Sequence, residues 1–137
     1  MKLLIDANIV LDVLQDRKPH VDNSLLIWKL CEAGMAEGHI LTLSFANLVY
    51  VMRKEMDFVK IENTFNTMAR IFSFAELKQR DLGNAAVLHW EDFEDALQSV
   101  TAERIGADYI ITRNVKDYEG SCVKAITPES FLSGFQM

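Results

Sequence analysis

Leu3, Leu4 and Ile5 form an apolar run that stops at Asp6, and Ile9, Val10, Val13 and Leu14 then recur at three- and four-residue spacing. The run predicts a buried strand and the spacing a helix, with a carboxylate at their junction. After a polar loop over Gln15 to His20, which contains a proline, a helix starting at Asp22 or Asn23 turns Leu25, Leu26, Trp28, Leu30 and Cys31 inward and runs down through Gly34 to Gly38. His39 to Leu43 reads as a second strand. Ser44 is then the N-cap of a helix ending near Lys54, with Asn47 in its first turn. Asp57 to Phe72 is an amphipathic helix with Val59, Ile61, Phe65, Met68, Ile71 and Phe72 as its core face. Ser73 to Ala75 is a short strand. Arg80 to Trp90 is a helix with Leu82, Ala85, Ala86 and Leu88 inward, although Gly83 weakens it. Glu91 to Gln98 opens a helix that buries Leu97, Val100 and Ile105 and ends at Gly106. Asp108 to Thr112 is a strand, 113–118 a turn or short helix, and Val123 to Ile126 a last strand. Pro128 opens a final helix carrying Phe131, Leu132 and Phe135.

Strands alternating with helices along 137 residues predict one α/β domain, 1–137, on a parallel sheet. Half of the residues are hydrophobic, enough for a sizeable core and too many for a disordered chain. The net charge of −6 argues against a broad electrostatic grip on nucleic acid, so any such binding needs a local basic rim or metal ions. Cys31 and Cys122 are far apart, form no CxxC pair and are expected to be reduced in the interior. Asp6 and Asp12 interrupt the N-terminal apolar stretch, and no run approaches the ~18 apolar residues of a membrane helix. A soluble cytoplasmic protein with no membrane association is the expectation.

The acids carry the chemistry. In an open parallel sheet, ligands bind outside the carboxyl ends of the strands. Asp6 follows one strand there, and Asp117 lies just past another. Asp92 and Asp95 sit in the first turn of a helix, three residues apart on one face. Taken singly, each has a plainer explanation: Asp6 as an N-cap, Asp92 and Asp95 as a capping pair, Asp117 as a solvated loop acid. Taken together they form a set of hard oxygen ligands without His or Cys, suited to Mg²⁺ or Mn²⁺. Crowded carboxylates repel one another, and a divalent ion relieves that repulsion. His20, His39 and His89 make no zinc-like spacing. Arg17 and Lys18, close in sequence to Asp6, are candidates to touch phosphates.

Three segments in order resemble the PIN domain, the fold of many toxin ribonucleases of bacterial toxin–antitoxin pairs. LLIDAN, ending its strand in Asp6, is similar to the family's first motif. Asp92-Phe93-Glu94-Asp95-Ala96 is similar to the central motif, in which Asp95, the acid before Ala, is a metal ligand. Ile111 to Tyr118 is similar to the closing "TRD-x-x-DF" motif, here with Asp117. Two positions depart from the pattern. The usual Glu of "S-x-x-E-L" is Asn47 within Ser44-Phe45-Ala46-Asn47-Leu48, and the "TRD" acid is Asn114. An amide keeps a ligating oxygen but brings no charge. Glu55 is no substitute, standing about 12 Å beyond Asn47 along a helix. The resemblance implies a three-layer α/β/α fold and a Mg²⁺- or Mn²⁺-dependent ribonuclease. Asp6, Asp95 and Asp117 would be catalytic metal ligands, with Asp92 as a further one. Asn47 and Asn114 would be neutral supports, and Thr112 and Ser44 would position water or phosphate. Arg17, Lys18 and Arg113 would contact the RNA backbone. It further implies in-line attack by water leaving a 5′-phosphate, a homodimer, and a small antitoxin whose segment covers the site. The two amides keep a second reading open: a PIN-fold RNA- or protein-binding module with little catalysis.

Overall fold

The computed structural model describes residues 1–135. The first strand, β1 (Lys2–Ile5), is the middle of a five-stranded sheet. It is followed by α1 (Ala7–Leu14), α2 (Val21–Glu32), β2 (Glu37–Leu41), α3 (Thr42–Met52), α4 (Phe58–Ile71), β3 (Ser73–Ala75), α5 (Gln79–Ala86), α6 (Phe93–Arg104), β4 (Tyr109–Ile111), a single 3₁₀ turn (Val115–Tyr118), β5 (Ala125–Ile126) and α7 (Pro128–Gly134). The sheet order is β3-β2-β1-β4-β5 and every pairing is parallel. This is the three-layer α/β/α arrangement. A central parallel strand is buried on both faces, which is why Leu3-Leu4-Ile5 is a continuous apolar run and not an alternating one. Leu3 and Ile5 face the side covered by Ile9, Val10, Ile27, Leu30 and Met68, while Leu4 and Ile110 pack with Ala102 and Tyr118 on the other. Each fully buried Leu or Ile contributes about 1.5–3 kcal/mol.

Order reverses at β1. From it the chain winds outward to β2 and β3, then crosses back to lay β4 on its other side. The carboxyl ends of β1 and β4 therefore flank the point where the two halves diverge, the usual place for a ligand cleft in such a sheet.

Several elements differ from their sequence reading. The second strand is earlier, because β1 pairs Lys2 with Glu37 and Leu4 with His39, and α3 already begins at Thr42. Ser44 is therefore not an N-cap; it lies inside α3, fully buried, and accepts a hydrogen bond from Gln98 Nε2 of α6 at 3.3 Å. Asn47 moves to the second turn. The helix read over Arg80 to Trp90 stops at Ala86, with His89 in the left-handed region at φ 58°. Leu26, Val59, Phe65, Leu82 and Leu88, all read as inward, are exposed, and Cys122 is exposed as well. In α4 and α5 the buried stripe is narrow, resting on Met68 and on Asp81 with Ala85. Asp81 is buried because Arg104 of α6 pairs with it at 2.9 Å. Gly38 sits where helix α2 closes on β2. A Cβ there would stand 2.7 Å from both Cys31 Sγ and Phe72 Cδ1.

Candidate active site

Asp6 ends β1 and caps α1. Its backbone N–H donates to Ile111 O at 3.0 Å, which fixes it against the end of β4. Its side chain is buried, with Oδ1 accepting from the Asn8 N–H at 3.4 Å and Oδ2 from the Thr112 hydroxyl at 2.8 Å. The Thr112 oxygen in turn accepts the Asn114 N–H at 3.1 Å. Asp6 therefore caps α1 and also lines a cleft. Burial pushes its carboxyl above the ordinary range, while the bonds from Thr112 and Asn8 and the Arg113 charge pull it back.

The cleft, about 220 Å³, is walled by Asp6, Asp92, Glu94, Asp95 and Asp117 together with Asn47 and Asn114. Asp92 is the N-cap of α6, its Oδ1 accepting the Asp95 N–H at 3.1 Å. Asp95 accepts the Tyr118 hydroxyl on Oδ1 at 3.1 Å. Burial, then the nearby Asp92 charge, push the Asp95 carboxyl up to about 7, with Tyr118 working the other way and Asp6 and Asp117 adding to the rise. Burial likewise keeps the Tyr118 phenol protonated, so it remains a donor. Asp117 is exposed on the 3₁₀ turn and also borders an adjoining hollow with Trp90 and Glu119. Asn114 stands at the start of that turn.

Glu94 was not singled out by the sequence. It is half-buried, and Asn47 Nδ2 donates to its Oε2 at 2.8 Å. Burial raises its carboxyl, the Asn47 bond lowers it, and the Asp6 and Asp92 charges raise it again. The signal that could have found it was the amide at 47, which calls for an acceptor across the cleft.

The three predicted RNA contacts lie elsewhere. Arg17 Nε is held by Gln15 Oε1 at 2.8 Å on the loop after α1. Lys18 is exposed on the same loop. Arg113 Nε pairs at 3.0 Å with Asp12 Oδ2, which also accepts from Ser24. None of the three, nor Ser44, lines the cleft, and its described wall carries no Lys, Arg or His. A larger hollow of about 530 Å³ beside α4, lined by Leu14, Trp28, Val59 and Met68 among others, holds no predicted site residue.

By type, the donor set of carboxylates and amide oxygens fits a hard divalent ion. As the side chains stand, no three acidic, His or Cys residues among those described are grouped to hold one. Asp6, Glu94 and Asp95 each accept a hydrogen bond from a neutral donor.

Residues 2–116 match the PIN domain family, and the chain belongs to it. The fold is that of several solved structures. A toxin–antitoxin complex from Klebsiella pneumoniae has 22% identity and a TM-score of 0.70 over 92% of this chain and 97% of that one. VapBC2 from Rickettsia felis, bound to a DNA fragment from its promoter, has 15% identity and a TM-score of 0.65 over 93% and 98%. VapC20 from Mycobacterium tuberculosis, a Sarcin-Ricin loop cleaving toxin, has 8% identity and a TM-score of 0.63 over 98% and 96%. A comparison with curated protein sequences finds no match. Among the described residues no helix is long and apolar enough to cross a membrane.

Proposed function

We propose that this chain is a Mg²⁺- or Mn²⁺-dependent endoribonuclease, the toxin of a toxin–antitoxin pair acting in the cytoplasm. The observation that carries the reading is the convergence of Asp6, Asp95 and Asp117, from three separate segments, on one small cleft whose described wall has no cationic side chain. Asp6, Asp95 and Asp117 would hold the ion. Asp92 would join from the rim through the oxygen not used in capping, and Asn47 and Asn114 would be neutral oxygen donors. When bound, the ion supplies Lewis-acid stabilisation of the phosphoryl group and lowers the pKa of water.

The chain's own residues prepare that chemistry. Thr112 and the Asn8 N–H each hold one oxygen of Asp6, and Tyr118 holds one oxygen of Asp95, whose other oxygen takes no hydrogen bond among the described residues. The Asp95 carboxyl, pushed up to about 7, would have to give up its proton to hold the ion. Arg17 and Lys18, on the loop after α1, would meet the RNA backbone. Arg113 is assigned to Asp12 and not to RNA. An antitoxin partner is in line with the toxin–antitoxin complexes among the similar structures; a segment of it closing the cleft, and a homodimer, complete the proposal.

The test is cleavage of a mixed RNA pool by wild type, Asp6→Asn and Asp95→Asn, prepared in parallel, with Mn²⁺, Mg²⁺ or EDTA. Metal-dependent cleavage lost in both variants is expected; cleavage surviving both changes refutes the mechanism. A second reading, a PIN-fold RNA- or protein-binding module with little catalysis, draws on the ungrouped acids and the two amides. Calorimetric titration with Mn²⁺ separates the two, since the module reading requires no binding up to millimolar metal.

A further inference from the structure

We infer that Glu94 supplies the anionic ligand that position 47 lacks, so that one acid of the site has moved from α3 to the first turn of α6, with Asn47 as its positioning residue. The inference rests on the reading of the cleft as a divalent-metal site.

The two residues face each other across the cleft, and both share its wall with Asp6. Asn47 Nδ2 donates to Glu94 Oε2 at 2.8 Å, while Oε1 takes no hydrogen bond among the described residues. Carboxylates at both positions would meet at hydrogen-bonding distance as like charges, each disfavouring ionisation of the other. One acid and one amide avoid this: the amide gives its N–H to the acid, and the acid keeps one oxygen for a cation. Asn47 and Glu94 are then two halves of one arrangement, and the missing charge at 47 is not a deficit of the site. Asp92 fills this place less well. It is exposed, and one of its oxygens is engaged in capping α6.

The arrangement predicts an exchange. Glu94→Gln removes the charge but keeps an acceptor for the Asn47 amide, so the fold is preserved. Asn47→Glu combined with Glu94→Gln restores one acid and one amide with their places swapped. Mn²⁺ affinity of the whole chain is measured by calorimetry and by the electron paramagnetic resonance signal of free Mn²⁺, with the melting temperature of each variant as a control. Glu94→Gln should weaken Mn²⁺ by about tenfold or more. The exchanged pair should recover most of that loss, and Glu119→Gln, which removes a charge from the adjoining hollow, should leave affinity unchanged. Wild-type affinity in Glu94→Gln, an equal loss in Glu119→Gln, or no recovery in the exchanged pair overturns the inference while the metal site stands. A wild type that binds no Mn²⁺ overturns the metal site itself, and this inference with it.

Discussion

Replacing Asp95 by Asn should stabilise the metal-free protein at neutral pH and destabilise it relative to wild type in Mn²⁺. The cleft holds the Asp95 carboxyl up to about 7, against an ordinary 3.8. The fold therefore binds this proton more tightly than the unfolded chain does. Below pH 3.8 both states are protonated and there is no penalty. Between 3.8 and about 7 the unfolded chain ionises first and stability falls, and above about 7 the whole penalty is present. At full strength that interval corresponds to about 4 kcal/mol. Asp95 is only half-buried, so solvent screening leaves about 1–2 kcal/mol. Asn is neutral throughout and still accepts the Tyr118 hydroxyl. In EDTA at pH 8, Asp95→Asn should melt about 3–8 °C above wild type, and the gap should close as pH falls to 4. With Mn²⁺ at a hundred times its dissociation constant, wild type gains about 2.7 kcal/mol that the variant lacks, and the order reverses. Differential scanning calorimetry over pH 4–8 reads both arms. An Asp95→Asn protein that melts at or below wild type in EDTA at pH 8, or an advantage that persists undiminished at pH 4, refutes the argument.

Arg113→Ala should cost about 2–4 kcal/mol in urea denaturation at pH 7, because it leaves the fully buried Asp12 with only Ser24 as partner. A loss below 0.5 kcal/mol, on the order of an ordinary surface change, would show that Asp12 does not depend on it. Gly38→Ala should destabilise the fold by about 1–3 kcal/mol, read as a lower melting temperature, since its Cβ meets Cys31 and Phe72 at 2.7 Å; an unchanged melting curve would mean those side chains yield freely. Thr112→Val removes the donor that holds Asp6 Oδ2 and should weaken Mn²⁺ about 10–100-fold in titration without changing the cleft's formal charge. Full affinity in that variant would show that Asp6 needs no such support.

The sequence was most informative where one short segment carries its own reason. Leu3-Leu4-Ile5 before Asp6 is apolar on both faces because β1 is central, and the acid can only stand where the strand ends. The capping of α6 by Asp92 and of α4 by Asp57 follows from local side-chain reach. Asp6, Asp92, Asp95 and Asp117 were all legible as cleft residues, since strand ends in a parallel sheet and a helix start bring them to one edge. The helices α4 and α5 were less legible. Their apolar residues outnumber the positions the fold buries, so periodicity marked Val59, Phe65 and Leu82 as core although they are exposed.

What the sequence alone determined is the alternation of strand, acid and helix, because apolar period and capping act over a few residues. What only the tertiary structure decided is the pairing across distance. Gln98 of α6 occupies the hydroxyl of Ser44, Asp12 claims Arg113, and Asn47 meets Glu94 across 47 residues of chain. Each of these side chains has several plausible local roles, and its partner is chosen by the sheet order, which sets α3, α6 and the end of β4 around β1. Local propensity carries no information about which of two distant polar groups will share a desolvated space; packing fixes that, and with it which acids face the cleft.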